Sequence, residues 1–249
     1  SIVTVSIATA YFTRMSTHAR TNDLDSIRDD VSSSLRTILA TMVFSAVGLA
    51  VLAYPFSAVF GGTFSEVTAL GNVLLAYLAG LIPFSVLFVL QRVFYALDDT
   101  RSAFFLQLFQ SGVFVAGLLA VMLLPTQWIA VGVAGMMSVS GTLGTVVAAV
   151  VLRRKLGGLG AGLIVRRTLW FLGAAVVAGA VGLAGVWAWG GFEAGGFAVS
   201  SRLGGGVVVA VVGTGMALVY VGLLALTRNP EFVALSAPVL RRFRGRAPE

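Results

Sequence analysis

Six long apolar runs without a charged residue constrain this chain more than any other feature of its sequence. They occupy residues 37–60, 68–91, 102–124, 127–152, 168–189 and 203–227. A helix rises about 1.5 Å per residue, so each run can cross a hydrocarbon layer about 30 Å thick. We therefore predict an all-α integral membrane protein, a polytopic helix bundle with six complete transmembrane helices.

The composition of the chain also indicates lipid rather than water as its surroundings. Charged residues make up 11% of the 249 residues and hydrophobic residues 58%, whereas a soluble domain carries about a quarter charged residues. Cysteine is absent and histidine occurs once, so we expect no catalytic, cofactor-binding or metal-ligating residues. No basic stripe interleaved with exposed aromatic residues appears, so we expect no nucleic-acid partner.

The basic residues alternate from loop to loop, which predicts the orientation of the chain. Of the 17 Lys and Arg residues, 16 fall in 14–36, 92–101, 153–167 and the tail from 228. Only Arg202 lies in the alternate loops. Because basic loops remain on the cytosolic side, we predict a multi-pass protein of the bacterial cytoplasmic membrane with its C-terminus in the cytosol.

These signals divide the chain into six expected segments. They are the end of a truncated transmembrane helix (1–13), a cytosolic amphipathic connector (14–36), a bundle of four spans (37–152), a basic cytosolic loop (153–167), two additional spans (168–227) and a basic cytosolic tail (228–249). The first segment has no initiator Met and is already apolar, so we interpret the chain as a fragment of a larger protein.

The connector has apolar residues at helical spacing, which predicts an amphipathic helix resting on the membrane surface. The apolar positions are Leu24, Ile27, Val31 and Leu35. The remaining faces are expected to carry Asp23, Asp25, Arg28, Asp29 and Asp30. Thr21 or Asn22 is expected to cap this helix.

The stretch 91–102 is a short polar turn between two apolar runs. It contains Arg92, Asp98, Asp99 and Arg101. The acidic residues suit a helix N-terminus, so we expect a capped helix to begin near Ser102. We interpret the turn as a tight cytosolic hairpin pinned by Arg–Asp contacts, and a direct ligand role is the alternative.

Prolines and amides inside the runs are further candidates for function. Pro83, deep in its span, and Pro55, near the end of its span, each remove a backbone donor and bend the helix. Each bend is either a gating hinge or a static kink. Gln107 and Gln110 lie one turn apart in the third run, and Asn72 lies near the outer end of the second. These three amides either line a polar cavity or hydrogen-bond a neighbouring helix.

Clustered basic residues beside the apolar runs are expected to contact lipid headgroups. They are Arg153, Arg154, Lys155, Arg166, Arg167, Arg241, Arg242 and Arg244. In the tail, a linker to a further soluble domain fits these residues equally well.

The sequence resembles the C-terminal lobe of the MurJ/MviN proteins, lipid II flippases of the multidrug/oligosaccharidyl-lipid/polysaccharide exporter superfamily. The resemblance rests on YFTRMS at 11–16, the connector, Pro83 and above all RVFYALDDTRSAF at 92–104. Thr13 and Ser102 stand where this family commonly has proline. The resemblance extends over the whole chain, as the end of helix 8 and helices 9 to 14 of a fourteen-helix fold.

The resemblance implies transport of an undecaprenyl-pyrophosphate-linked precursor, lipid II, to the outer leaflet by alternating access between two lobes. It implies that the N-terminal lobe and most of the cavity arginines lie outside this chain. The last two spans then match a lipid-facing groove for the polyprenyl tail. Mycobacterial members continue into a cytosolic pseudokinase-like domain, with which the basic tail is compatible, and the Ala-, Gly-, Val- and Arg-rich composition is typical of GC-rich bacteria such as actinobacteria.

Two other functions remain open at this point. A related exporter would move another polyprenyl-linked glycan or a drug, although drug antiporters of the superfamily typically stop at twelve helices and carry an acidic residue in a span. A membrane scaffold would instead recruit cytosolic cell-wall regulators through the basic tail.

Overall fold

The structure is a computed structural model that describes residues 2–21 and 23–227. Within these residues the chain is helical and contains no strand. The helices are α1 (Ile2–Arg20), α2 (Leu24–Val51), α3 (Ala53–Ala58), α4 (Phe64–Leu78), α5 (Leu81–Ala96), α6 (Thr100–Val121), α7 (Thr126–Leu156), α8 (Ala161–Ala188), α9 (Phe197–Ser200) and α10 (Arg202–Leu226).

Helix α2 lies at the centre of the bundle and packs against α1, α5 and α8. One face of α2 is buried along its whole length, and Ile27, Val31, Ile38 and Val43 are all fully covered. Helix α8 approaches α2 closely because it presents small residues there: a Cβ on Gly179 would lie 2.8 Å from Val47. Ala174, Ala178 and Gly182 recur every four residues on the buried side of α8, and Gly182 faces Met216 of α10.

The second group of helices is organised by α7, which packs against α4, α5 and α6. Small and hydroxyl residues recur on the buried face of α7, at Ser138, Gly141 and Gly144. They let α5 and α6 come close: a Cβ on Gly144 would meet both Leu87 and Gln110 at 3.5 Å.

Both prolines interrupt their spans one turn upstream, as proline chemistry requires. The ring of a proline clashes with the carbonyl four residues earlier, and proline has no backbone N–H to donate to that carbonyl. Four residues before Pro55 is Val51, where α2 ends, and four before Pro83 is Ala79, which directly follows α4. Helices α4 and α5 meet at 40°, so the predicted bend in the second run is confirmed.

Two helix boundaries differ from the bounds of the expected segments. The connector is not a separate surface helix, because α1 continues to Arg20 and α2 begins at Leu24 and runs on into the first apolar run. Its apolar face is covered by protein instead of lipid headgroups, and its cap is Asp23, which accepts from the Ser26 N–H at 3.1 Å. The basic segment 153–167 is also largely helical, because α7 ends at Leu156 and α8 begins at Ala161.

The outer surface of the bundle is apolar, as expected for helices surrounded by lipid. Five described helices are long and apolar enough to cross a membrane, and the bent pair α4 and α5 makes a sixth crossing if it counts as one span. Large exposed side chains cover the outward faces of α6, α8 and α10, among them Phe104, Leu119, Leu169, Val176 and Leu218. The polytopic membrane bundle predicted from the sequence is confirmed.

Gly205 of α10 provides a test of this packing. A Cβ at Gly205 would lie 2.5 Å from the carbonyl oxygen of Pro55, whereas a Cβ at Gly206 would meet nothing within 4 Å. We expect Gly205→Ala to destabilise the protein by about 1–3 kcal/mol, since backbone cannot yield as a side chain can. Gly206→Ala should be neutral or slightly stabilising, because alanine favours the helix. Thermal unfolding of the full-length protein in detergent would measure both, and equal midpoints would contradict the close contact.

A candidate functional site at the basic end of the bundle

The turn between α5 and α6 meets the C-terminal end of α7, and we call this end of the molecule the basic end. Asp99 is the N-cap of α6 and accepts from the Ser102 N–H at 3.1 Å, so the predicted cap near Ser102 is confirmed. The same carboxylate forms an ion pair with Lys155, in the last turn of α7. A single acid therefore starts one helix and holds the end of another.

The surroundings of Asp99 favour its ionised form. Partial burial raises the pKa of this carboxyl, but the hydrogen bonds from Lys155 and Ser102 outweigh it and lower the pKa from 3.8 to about 2. The folded protein therefore holds the Asp99 proton less tightly than the unfolded chain does. This interaction stabilises the fold above pH 4 and is lost as the pH falls from about 4 to about 2.

Arg28 of α2 joins the same end of the bundle. Its guanidinium donates to the carbonyl oxygen of Leu156, the last residue of α7, and also to Asp25 at 3.0 Å. Gly157 then adopts a left-handed conformation with φ of 71°, which ends α7 as glycine commonly does. Arg28 thus satisfies a free helix carbonyl, and its positive charge complements the negative end of the α7 dipole.

The predicted Arg–Asp contacts within the turn are wrong. Arg92 lies over the ring of Phe88 at 4.9 Å, and Arg101 lies over the ring of Phe105 at 5.9 Å. Asp98 is exposed and has φ of 56°, a conformation that Asp tolerates in tight turns. Asp99 is the acid that fixes the hairpin, and its cationic partner is Lys155 of α7. The fold brings Lys155 closer to Asp99 than either arginine of the turn.

The break between α4 and α5 is held by two hydroxyl groups of α7. The N–H of Gly80 donates to Tyr77, so the Ala76 carbonyl no longer has its helical partner, and Ser138 Oγ donates to it at 2.6 Å. Thr145 Oγ1 donates to the Pro83 carbonyl at 2.7 Å. A cavity of about 250 Å³ lies beside the break, lined by Tyr77, Leu78, Gly80, Leu81, Phe84, Met137 and Ser138.

The three amides are not brought together. Asn72 accepts from the Tyr54 hydroxyl at 3.0 Å and so links α4 to α3. Gln107 is exposed and lies 3.3 Å from Ser111 of its own helix. Gln110 is buried against Gly144 of α7. Within the described residues the three amides thus share no cavity, because Gln110 turns inward against α7 while Gln107 is exposed on α6; a cavity-lining role for them stays a prediction.

The sequence matches the family model described as "Lipid II flippase MurJ" over residues 1–203. That stretch covers well over half of the 249 residues. The chain belongs to the MurJ family. The family is one of lipid transporters rather than enzymes, and membership places the chain among multi-pass proteins of the bacterial inner membrane that serve peptidoglycan biosynthesis. A comparison with curated proteins gives no match.

The family match ends at the beginning of α10, at residue 203. The match is therefore shorter than the resemblance, which extends over the whole chain. In this MurJ-family chain α10 is nevertheless part of the bundle, since Tyr220 donates to the Ala40 carbonyl of α2 at 2.6 Å and stacks on Phe44 at 4.7 Å.

Some of the residues predicted to contact lipid headgroups are exposed in the structure, and others are engaged or half-buried. Arg153, Arg154 and Arg166 are exposed on the ends of α7 and α8, while Lys155 is engaged by Asp99 and Arg167 is half-buried. Arg241, Arg242 and Arg244 lie outside the described residues. All five described residues are helical and lie within about two turns of the 157–160 turn, so the exposed three remain available to lipid.

Sequence reasoning missed a second charged cluster in this MurJ-family chain. Asp30 of α2 is only 3% exposed, and Arg14 of α1 pairs with it at 2.8 Å. His18 Nε2 lies 3.7 Å from the other carboxylate oxygen. The signal was present, because Asp30 falls three residues after Ile27 and one before Val31, on the buried face. Helices α1 and α2 are thus joined by charge.

The Asp99–Lys155 pair predicts a distinctive pH dependence. We expect Asp99→Asn to lower the thermal stability of the full-length protein near pH 7, because it removes the ion pair and weakens the α6 cap. The gap between variant and parent should shrink as the pH is lowered from about 4 towards 2, where the parent carboxyl also becomes neutral. Asp98→Asn is the matched control and should change little. A gap that stayed constant over this pH range would contradict the pairing.

Proposed function

We propose that this chain forms the C-terminal half of a flippase that moves lipid II from the inner to the outer leaflet by alternating access, together with an N-terminal lobe. The family match supports the substrate. The observation that carries the mechanism is the broken span α4–α5, whose two halves meet at 40°. Transporters commonly form their substrate and ion sites from such discontinuous helices.

The joint between α4 and α5 has the features of an element with two stable conformations. Its freed carbonyl at Ala76 depends on one hydroxyl of α7, and the cavity beside Gly80 leaves room for the halves to change their angle. In lipid, an unsatisfied carbonyl costs several kcal/mol, so the joint is stable only where α7 supplies a donor. We propose that Ser138 and Thr145 hold one of the two transport states.

We expect Ser138→Ala combined with Thr145→Val to shift the populations of inward-open and outward-open states. Interhelical hydrogen bonds in membranes contribute about 0.6 kcal/mol each on average, so two predict a shift of roughly threefold to tenfold. Cysteine accessibility from both sides of proteoliposomes would measure the populations in the full-length protein. An assay of lipid II translocation would report the rate.

Thr142→Val is the matched control for the double variant. Thr142 bonds only to the carbonyl of Ser138 within its own helix, at 2.7 Å, so its loss should leave both readouts unchanged. Identical state populations in the double variant and the parent, with equal unfolding temperatures, would make the joint a static kink and remove it from the mechanism.

The orientation in this proposal has the basic end in the cytosol. Lys155 reaches Asp99 and Arg28 reaches Leu156 at that end, whereas Arg202 begins α10 beside Gly61, in the turn that follows α3. Since 16 of the 17 basic residues fall in loops assigned to one side, the positive-inside rule makes that side cytosolic. The tail from 228 would then also be cytosolic, where it would meet lipid or a regulatory domain or protein.

We expect cysteines introduced at Arg154 and Arg202 to react from opposite sides of the membrane. The printed chain contains no cysteine, so each substitution gives one label site within it. An impermeant maleimide added to intact bacterial spheroplasts should modify Arg202→Cys and leave Arg154→Cys unmodified until the membrane is broken. Modification of both from the outside would refute the six-span topology.

Substrate choice is tested with the parent protein. Translocation of lipid II, without movement of an unrelated undecaprenyl-linked glycan or a cationic dye, is the expected result. Movement of the glycan or the dye alone would favour a related exporter. Capture of a cytosolic cell-wall protein without any translocation would favour a scaffold.

A further inference from the structure

A groove between α6 and α7 opens beside the basic end and is separate from the break in α4–α5. Its volume is about 380 Å³, within the range of small-molecule sites. Arg101 and Ser102 lie where α6 begins, and the remaining lining is apolar: Phe94, Phe105, Leu106, Phe109, Val147, Ala148 and Val151. The groove therefore combines one cation at its mouth with an apolar channel along the helices.

Arg101 is the cation that this groove offers to a ligand. It is exposed, and its guanidinium lies over the ring of Phe105 at 5.9 Å. Among the described residues no acidic side chain forms an ion pair with Arg101, because Asp99 is already paired with Lys155. Arg153 and Arg154 are exposed at the adjacent end of α7, so the local charge is positive.

We infer that an anionic phospholipid binds in this groove, with its phosphate at Arg101 and one acyl chain between α6 and α7. The lining of α6 runs from Arg101 to Phe109, which is about 12 Å of helix, the reach of an acyl segment that follows the helix axis inward. A single arginine at the edge of the apolar layer matches a single phosphate, and guanidinium binds phosphate by paired hydrogen bonds.

The net charge at the mouth favours an anionic over a zwitterionic headgroup. An ammonium group beside the phosphate would need a free carboxylate, and Asp99 is occupied by Lys155 and the Ser102 N–H. The neighbouring arginines at the end of α7 attract a headgroup with net negative charge and repel an ammonium group. This inference concerns a bound membrane lipid and does not depend on which substrate the protein transports.

Native mass spectrometry of the full-length protein tests the headgroup contact. The protein is titrated with dioleoyl phosphatidylglycerol and, separately, with dioleoyl phosphatidylethanolamine. We expect Arg101→Gln to weaken binding of phosphatidylglycerol by about tenfold, the effect of losing a charged hydrogen bond. Arg154→Gln is the matched control: it removes an exposed cation at the same end that does not line the groove, and it should weaken binding less than about threefold.

A second pair of variants tests the channel without changing charge. Val151 lines the groove and Val150 is exposed on the neighbouring face of α7. Val151→Phe should fill the channel and lower phosphatidylglycerol binding, whereas Val150→Phe should leave it unchanged. Thermal unfolding of each variant confirms that it is folded.

Three results would overturn the inference. Equal losses for Arg101→Gln and Arg154→Gln would mean that lipid binds to diffuse charge only. Equal affinity of the parent for phosphatidylethanolamine would remove the anionic requirement. If undecaprenyl phosphate is bound through Arg101 and Val151 while phosphatidylglycerol is not, the groove holds a polyprenyl lipid instead.

Discussion

The need to satisfy every backbone polar group without water decides how this bundle is built. In lipid a helix can break only where another part of the protein supplies the missing hydrogen bond. At the α4–α5 break that supply is the Ser138 hydroxyl, which lies 2.6 Å from the Ala76 carbonyl. Gly80 is required at the same point, because a Cβ there would lie 2.7 Å from the Cα of Ser138. The proline, the glycine and the serine therefore act as one structural unit.

Helix α7 connects this joint to the basic end. Thr145 binds the Pro83 carbonyl near the start of α5, and Lys155 binds Asp99 just after α5 ends. Both ends of α5 are thus fixed to the same rigid helix. A change of angle at the joint would have to move α4 against the unit of α5 and α7, or else break the Asp99–Lys155 pair. The pair is therefore part of what determines which segment moves.

Features that depend on local sequence pattern could be predicted from the sequence. Contacts between residues far apart in the chain could not. The apolar runs and the acidic cap of α6 follow from residues within one or two turns, and both agree with the structure. The partner of Asp99 lies 56 residues away and the carbonyl bound by Arg28 lies 128 residues away, so only helix packing selects them. Gln107 and Gln110 show the same limit: their spacing places them on one side of α6, but the position of α7 decides which is buried.

Asp30 shows that a charged residue counted in a loop need not face water. A charged residue in a connector is normally assigned to the water-facing side, yet Asp30 is buried with Ile27 and Val31 on the packed face of α2. A buried carboxylate is tolerated only when it is paired, and Arg14 supplies the pair at 2.8 Å. Arg14 and Lys155 are therefore neutralised by protein, whereas Arg101, Arg153, Arg154 and Arg166 are exposed without an ion pair to a described acidic residue. Among the described residues, the charge that meets the membrane surface is therefore smaller than the loop count, and it lies at the end of α1, where α6 begins and where α7 and α8 adjoin.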